Sequence, residues 1–495
     1  MPNSFFGLNI GKTGLTAASV ALNTTAHNAS NANTDGYSRQ VITQTAQTPI
    51  SMNMSYGMVG TGTVVTEITQ VRSEYYDNKY WDNSCKVGYY ETINYEMLKI
   101  EDYFNEMDSE GFTTEFNNFF AALSSLNDNV TGTAERSNMI GYATNLIEYF
   151  ETIKSELLDQ QEDINAEVSD TVDKINTLAA DIAALNQQIN TVELTGESAN
   201  DLRDKRALLI DELSSIVDIS VSEQTYENSK TSFRVYIGTD VLVDDYTTYE
   251  LQLTSRTDKA NDTDATGLYD ITWSYGDAFD PVGDNINGSL KALLEVRDGN
   301  NQSGSDNTNY KGIPYYIEQI NEFLETFTTE FNSLLDQGYN LNNETTADMA
   351  ATYDETDFFL VDSNGSYYVN EIYTNDPDLL CLSDSKIQDG VENAGIVQKL
   401  IDLKDAKMFD SGTPQDKVSK IIVEIAIDTA RSTTMSAHYT NLGKTITNNR
   451  LSVMGVDSDE EAMNLVKYQE AYDLAAKVIQ VMSEIYDTLI NNLGV

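Results

Sequence analysis

Residues Asn31–Gln40 read NANTDGYSRQ, a polar turn centred on Gly36. It closes a first segment of about thirty residues that reads as helix and carries almost no charge. Within that segment Leu8, Leu15 and Leu22 recur every seven positions, and Gly11, Ala18 and Thr25 fill the other core positions of the same heptad. A seam of leucines alternating with small residues predicts a helix packed closely against another. Residues 1–70 hold only Lys12, Asp35, Arg39 and Glu67 as charged side chains, which cancel, so the whole formal charge of -49 lies after residue 70. A long uncharged segment gains little from solvent and is a candidate for burial against other chains. On composition alone it also reads as a soluble Ser/Thr/Asn-rich tail.

The rest of the composition bounds the class. A chain of 495 residues holds several cores, and two to four domains are expected. With 30 Lys plus Arg against 79 Asp plus Glu, the chain lacks the basic footprint of a nucleic-acid binder. Cys85 and Cys381 stand in unrelated contexts without metal or redox spacing, and are read as free or buried thiols. The N-terminus has no basic n-region, and Asn9, Gly11, Lys12 and Thr13 break its apolar run, so a cleaved secretory signal is not expected. No run of about 18 apolar residues offers a membrane span.

Further along, residues 41–85 favour extended structure, as in VGTGTVVTEITQV. A long helical region is predicted from about 136 to 213. There Phe150, Leu157, Ile164, Thr171, Leu178, Leu185 and Val192 keep one seven-residue register, with Val168, Ile175, Ile182 and Ile189 as partner positions. Between 217 and 287 β-branched and aromatic residues alternate with polar ones, which predicts a small inserted β domain. Polar stretches near 257–267, 298–310 and 341–356 read as surface loops, helix returns around YYIEQINEFLETFTTEFNSLL, and after a mixed segment helices run from about 393. In the last thirty residues Leu465, Tyr468, Tyr472, Ala475, Ile479, Met482, Tyr486 and Leu489 form one apolar seam, and Ala471, Leu474, Val478, Val481 and Ile485 form a second beside it. One partner helix cannot cover both.

The two ends together resemble a known family. Asn28, Asn31, Asn33, Thr34, Gly36, Tyr37, Arg39 and Gln40 resemble the N-terminal signature of the flagellar rod, hook and hook-associated axial proteins. LSVMGVDSDEEAMNLVKYQEAYDLAAKVI, Leu451 to Ile479, is similar to their C-terminal signature. GESANDLRDKRALLIDELS (Gly196 to Ser214) and GSLKALLEVRD (Gly288 to Asp298) narrow the resemblance to the hook-associated proteins of the hook–filament junction. Ser458 stands where that family usually has Leu, and Asp457 or Ser458 is expected to cap the last helix, with Glu460 and Glu461 near its positive end.

The resemblance implies a mainly α, discontinuous multidomain fold with β inserts, in which the chain ends pair as a coiled-coil core. The expected division is a terminal helical assembly domain (1–40 and 455–495), a helical stalk domain with extended segments (41–216 and 288–454) and an inserted β domain (217–287). The implied role is structural and not enzymatic: a junction between hook and filament, self-assembled into a ring or tube segment. Hook protein would lie on one side, and a second hook-associated protein or the filament on the other. An export chaperone would bind the C-terminal region, and the product would be extracellular. The assembly residues would be Leu8, Leu15, Ala18, Leu22, Asn28, Asn31, Asn33, Gly36, Tyr37, Arg39 and Gln40 with Leu465, Tyr468, Tyr472, Ala475, Ile479, Met482, Tyr486 and Leu489.

No cofactor, catalytic or metal residues are nominated. His27 and His438 are too few for a histidine-rich site, and Asp262, Asp264, Gly267 and Asp270 imitate a calcium loop whose twelfth position is Trp273, not Glu. Two other readings stand beside the junction role. Another axial component, a hook or second hook-associated protein, would share the ends but not the Gly196 to Ser214 block followed by the β insert. An acidic calcium-dependent surface adhesin or glycan-processing protein would account for the acidic loops, but not for paired apolar ends.

Overall fold

The uncharged first segment forms helix α1 (Phe6–Ser30), and the chain leaves it through the turn at Gly36, whose φ of 74° favours glycine. The computed structural model describes residues 6–51, 57–104, 111–225, 231–302, 309–386 and 393–492. After the turn, β1 (Gln40–Ala46), β2 (Ile50–Ser51), β3 (Met58–Val59) and β4 (Thr63–Gln70) make an antiparallel ribbon, with Gln40 opposite Gln70 and a bulge at Thr43/Gln44. The expected extended segment ends earlier than residue 85, because α2 (Glu74–Tyr103) begins there. Its many tyrosines favour strands in isolation. Burial of Trp81, Cys85, Ile93, Met97 and Ile100 on one helical face overrides that preference.

Next come α3 (Phe112–Asp128), α4 (Thr133–Glu193) and α5 (Asn200–Ile216). The long helical region expected over 136–213 is made of two helices, α4 and α5. The chain turns back at Gly196, φ 88°, and α5 runs antiparallel to α4, tied by Arg203–Glu193, Arg206–Asn186 and Lys174–Glu212. The heptad seam also drifts. Phe150, Leu157 and Ile164 are buried, but Thr171, Leu185 and Val192 are only half-buried, and Val168, Val172, Ile175, Ala179 and Ile182 carry the stripe onward. A straight helix of 3.6 residues per turn rotates a seven-residue repeat by about 20° per heptad.

The insert holds β5 (Ile219–Thr225), β6 (Thr231–Ile237), β7 (Asp240–Asp244) and β8 (Thr247–Thr248) as a four-stranded antiparallel sheet in chain order, beside a pair formed by β9 (Leu251–Ser255) and β10 (Tyr269–Trp273). It docks on α4 through side-chain amides. Asn165 accepts from the Tyr269 N–H, while Asn176 and Asn190 each bond both ways with the backbone of Leu251 and Thr231. Amides suit this task because one side chain satisfies both a donor and an acceptor of a strand edge. In the calcium-like loop, Asp264 is buried and accepts from Gln161 and Asn261, which makes it a latch onto α4.

The chain returns through α6 (Ser289–Asp298), α7 (Ile313–Leu335), α8 (Thr346–Met349), the hairpin of β11 (Phe359–Val361) and β12 (Tyr367–Val369), α9 (Glu371–Asn375) and α10 (Gly395–Asp402). The expected loop at 341–356 thus contains a short helix, closed by a Thr345/Asp348 capping box. Of the loop expected at 298–310, residues 303–308 lie outside the described residues. Phe112, Phe116, Phe119, Phe150, Phe323, Phe327 and Phe331 stack into one aromatic core between α3, α4 and α7. Finally α11 (Pro414–Met454) packs antiparallel to α2, and α12 (Ser458–Asn492) returns to α1. Asp457 caps α12, accepting from the backbone N–H groups of Asp459 and Glu460.

Candidate functional site

Helices α1 and α12 run antiparallel at close range because α1 turns a glycine face to its partner. A methyl group at Gly7 would lie 2.6 Å from Met482 Sδ, one at Gly11 2.8 Å from Ile479 Cγ1, and one at Gly14 3.7 Å from Ala475 Cβ. The small residues Gly11, Ala17, Ala18, Ala21 and Thr25 are buried, whereas Leu8, Leu15 and Leu22 are only half-buried. The sequence reading put leucines and small residues in one seam. The structure separates them, since 3.6 residues per turn spreads a heptad of single residues over neighbouring faces.

On α12 the first seam, Leu465, Tyr468, Tyr472, Ala475, Ile479, Met482 and Tyr486, is half-buried. Leu489 of that seam is 51% exposed, and the second seam faces outward: Leu474 is 62%, Val481 52% and Ile485 49% exposed. No apolar residue of α12 is fully buried among the described residues.

At the root of this pair sits the turn after α1. The buried Asn28 side chain donates to the Gln40 carbonyl (2.8 Å) and accepts from the Gln40 N–H (2.9 Å) and the Tyr37 hydroxyl (2.7 Å). Burial, then Asp201, Asp204 and Glu461, raise the Tyr37 phenol, which keeps it a donor. Arg39 grips the first turn of α12 through Glu461 (2.8 Å) and Glu460 (3.0 Å). Burial would lower the Arg39 guanidinium, but these two carboxylates raise it overall. The Arg39 N–H also donates to the Met454 carbonyl at the end of α11. Asn31 bonds back to the His27 carbonyl, while Asn33 is exposed and stands apart from this network.

Helix α5 supplies the other wall, which the sequence reading missed. Asp201 accepts from Gln40 (2.7 Å), Asp204 accepts from the Ser38 N–H (2.9 Å), and Leu208 lies under Gly36. Burial raises the Asp204 carboxyl. A relay of alternating charges then leads inward: Asp204, Arg72 (3.6 Å), Asp77 (2.7 Å), Arg450 (2.7 Å) and Asp211 (2.6 Å), the last also accepting from Trp81. It joins α2, α5 and α11 to the turn. Three of the four sequence blocks therefore meet here. The fourth, Gly288 to Asp298, forms α6 and packs elsewhere, with buried Arg297 bonding Asn165 and the Tyr269 carbonyl.

The chemistry on offer is packing and ion pairing. Among the described residues no group of three or more His, Cys, Asp or Glu is placed to hold a metal, and no helix is long and apolar enough to cross a membrane. His27 meets Asp201 at 3.3 Å, and the buried thiols of Cys85 and Cys381 are pushed up to about 12, chiefly by burial.

A family described as the flagellar hook-associated protein FlgK helical domain matches residues 97–350. The chain belongs to the flagellar hook-associated protein FlgK family. Membership makes it a structural protein of the flagellar hook–filament junction, mainly helical with β inserts. A second family, the C-terminal region of flagellar basal body rod FlgEFG proteins, matches residues 447–493 and spans all of α12. Flagellar hook-associated protein 1 of Bacillus subtilis is 28% identical over 100% of this chain and 99% of its own length, and that of Escherichia coli is 27% identical over 98% and 99%. The flagellar hook junction protein FlgK from Burkholderia pseudomallei shares the fold, with a TM-score of 0.60 at 13% identity, over 76% of this chain and 100% of that one. The readings as another axial component or an acidic adhesin are not favoured.

Proposed function

We propose that α1 and α12 form the assembly domain of this junction protein, and that their uncovered apolar faces stack against other copies in a ring or tube segment. Hook protein lies on one side, and a second hook-associated protein or the filament on the other. The observation that carries the reading is that α1 covers only one of the two apolar stripes of α12, leaving Leu474, Val481 and Ile485 about half exposed or more. Leu8, Leu15 and Leu22 continue that unsatisfied surface. The Asn28–Tyr37–Arg39 root fixes where the chain leaves the inner layer. The acidic outer parts keep the assembly soluble. In this reading the subunit is exported to the growing flagellum, a chaperone covers its C-terminal region before export, and no chemical step is involved.

Removing α12 from Leu465 onward in the native cell tests this. Hooks without filaments, with unassembled filament subunits in the medium, are expected. Normal filaments on those hooks would overturn it.

A further inference from the structure

The ribbon β1–β4 has no part in the assembly interface proposed above, yet it builds one wall of a groove. Between it and α1 lies an open cavity of about 600 Å³, walled by Phe6, Leu8 and Lys12 of α1 and by Gln47, Thr48 and Ile50 of the ribbon. Ile50 is 53% exposed there. Lys12 is the only Lys, Arg, Asp or Glu before Asp35, and among the described residues it pairs with no carboxylate. A groove that sets apolar Phe6, Leu8 and Ile50 beside polar Asn9 and Thr61, with one cation that has no carboxylate partner among the described residues, is half of a recognition site.

The chain's own α12 does not fill it. Leu8 and Lys12 lie roughly 100° round α1 from Gly7 and Gly11, at 3.6 residues per turn, and it is the glycine face that meets α12. Ile10 and Thr13, on yet another side, touch the ribbon at Gly62. Among the described residues no segment of this chain fills the groove, which leaves it open to another molecule. The same chain displays a matching surface: Val481, Ile485 and Leu489, at helical spacing and about half exposed, on a stretch of α12 whose only charges after Lys477 are Glu484 and Asp487. Neither acid pairs with a cation among the described residues.

We propose that the α1–ribbon groove receives the outer stripe at the C-terminal end of α12 from a second copy of this chain, with Lys12 of one copy facing Glu484 and Asp487 of the next. The inference rests on the assembly reading above and names the geometry of its joint. Groove and stripe are different surfaces of one chain, so the contact is heterologous and propagates instead of closing as a two-fold dimer.

The test uses the full chain in the native cell. Ile50→Cys and Ile485→Cys are introduced singly and together, and detached flagella are treated with a mild oxidant. Cys85 and Cys381 are buried and do not compete. The double variant is expected to give a ladder of disulfide-linked copies, and the single variants none. In parallel, Lys12→Glu is expected to lower the share of hooks that carry filaments about tenfold or more, and Glu484→Lys with Asp487→Lys in the same chain to restore it. If the double variant itself fails to assemble, this charge exchange decides. Filaments without a ladder, a ladder in a single variant, or a Lys12→Glu defect that is absent or not restored overturns the groove. The assembly reading is judged separately, by the α12 truncation.

Discussion

At Asn28 one buried amide closes the loop to Gln40 and fixes Tyr37, so replacing it takes a partner from the Gln40 backbone groups and the Tyr37 hydroxyl at once. Asn28→Ala is expected to cost about 2 kcal/mol in local stability, read as faster amide exchange over residues 34–40 with the β insert unchanged. Asp298 gives a pH prediction. Burial alone would raise its carboxyl, but Arg297 and Arg256 hold it below the usual aspartate range. Its folded pKa is thus depressed, so its contribution is complete above the ordinary value of about 3.9 and is lost as pH falls through the lower folded value. Asp298→Asn should destabilise the protein by roughly 3 kcal/mol at neutral pH and flatten the acid limb of its unfolding curve. An unchanged acid limb would refute the assignment. The turn residues themselves were legible in the sequence, because Gly, Asn and Tyr at fixed offsets are local signals. Their partners Asp201 and Asp204 were not, since nothing in a local pattern says which of many carboxylates will stand under a turn more than 160 residues away.

Among the elements, the α1–α12 pair allows a paired prediction. Gly11→Val puts a branched side chain where even a methyl is 2.8 Å from Ile479, and should cost about 1 to 3 kcal/mol of the pairing. Gly14→Ala adds a methyl at an ordinary 3.7 Å from Ala475 and should strengthen α1 by about 1 kcal/mol. Circular dichroism melts of the two variants should move in opposite directions, and equal shifts would contradict the packing described. Long helices and strands were readable because periodicity reports burial of one face. The start of α2 was misread, because tyrosines favour strands until a partner helix is present to bury Trp81 and Met97. The break at Gly196 falls just after the last position of the heptad register, Val192, and a seven-residue pattern by itself does not say that the chain then reverses. The amides by which α4 holds the insert left no signal, since Asn and Gln at helix positions look like solvent-exposed polar residues until a strand edge is laid against them.

Over the whole molecule, exposed apolar surface gathers on the paired end helices. The helices between them close over well-buried cores, while α12, among the described residues, buries no apolar residue completely and α1 keeps its leucines half open. A helix pair with so little buried surface has low local stability by itself and gains it from neighbours. The central claim is that α1 and α12 are completed by other copies, and amide hydrogen exchange on free monomer and on detached hooks tests it directly. Rapid exchange throughout α1 and α12 is expected in the monomer, slow exchange in the assembly, and little change in α4 and α7. Fully protected terminal helices in the free monomer would contradict it.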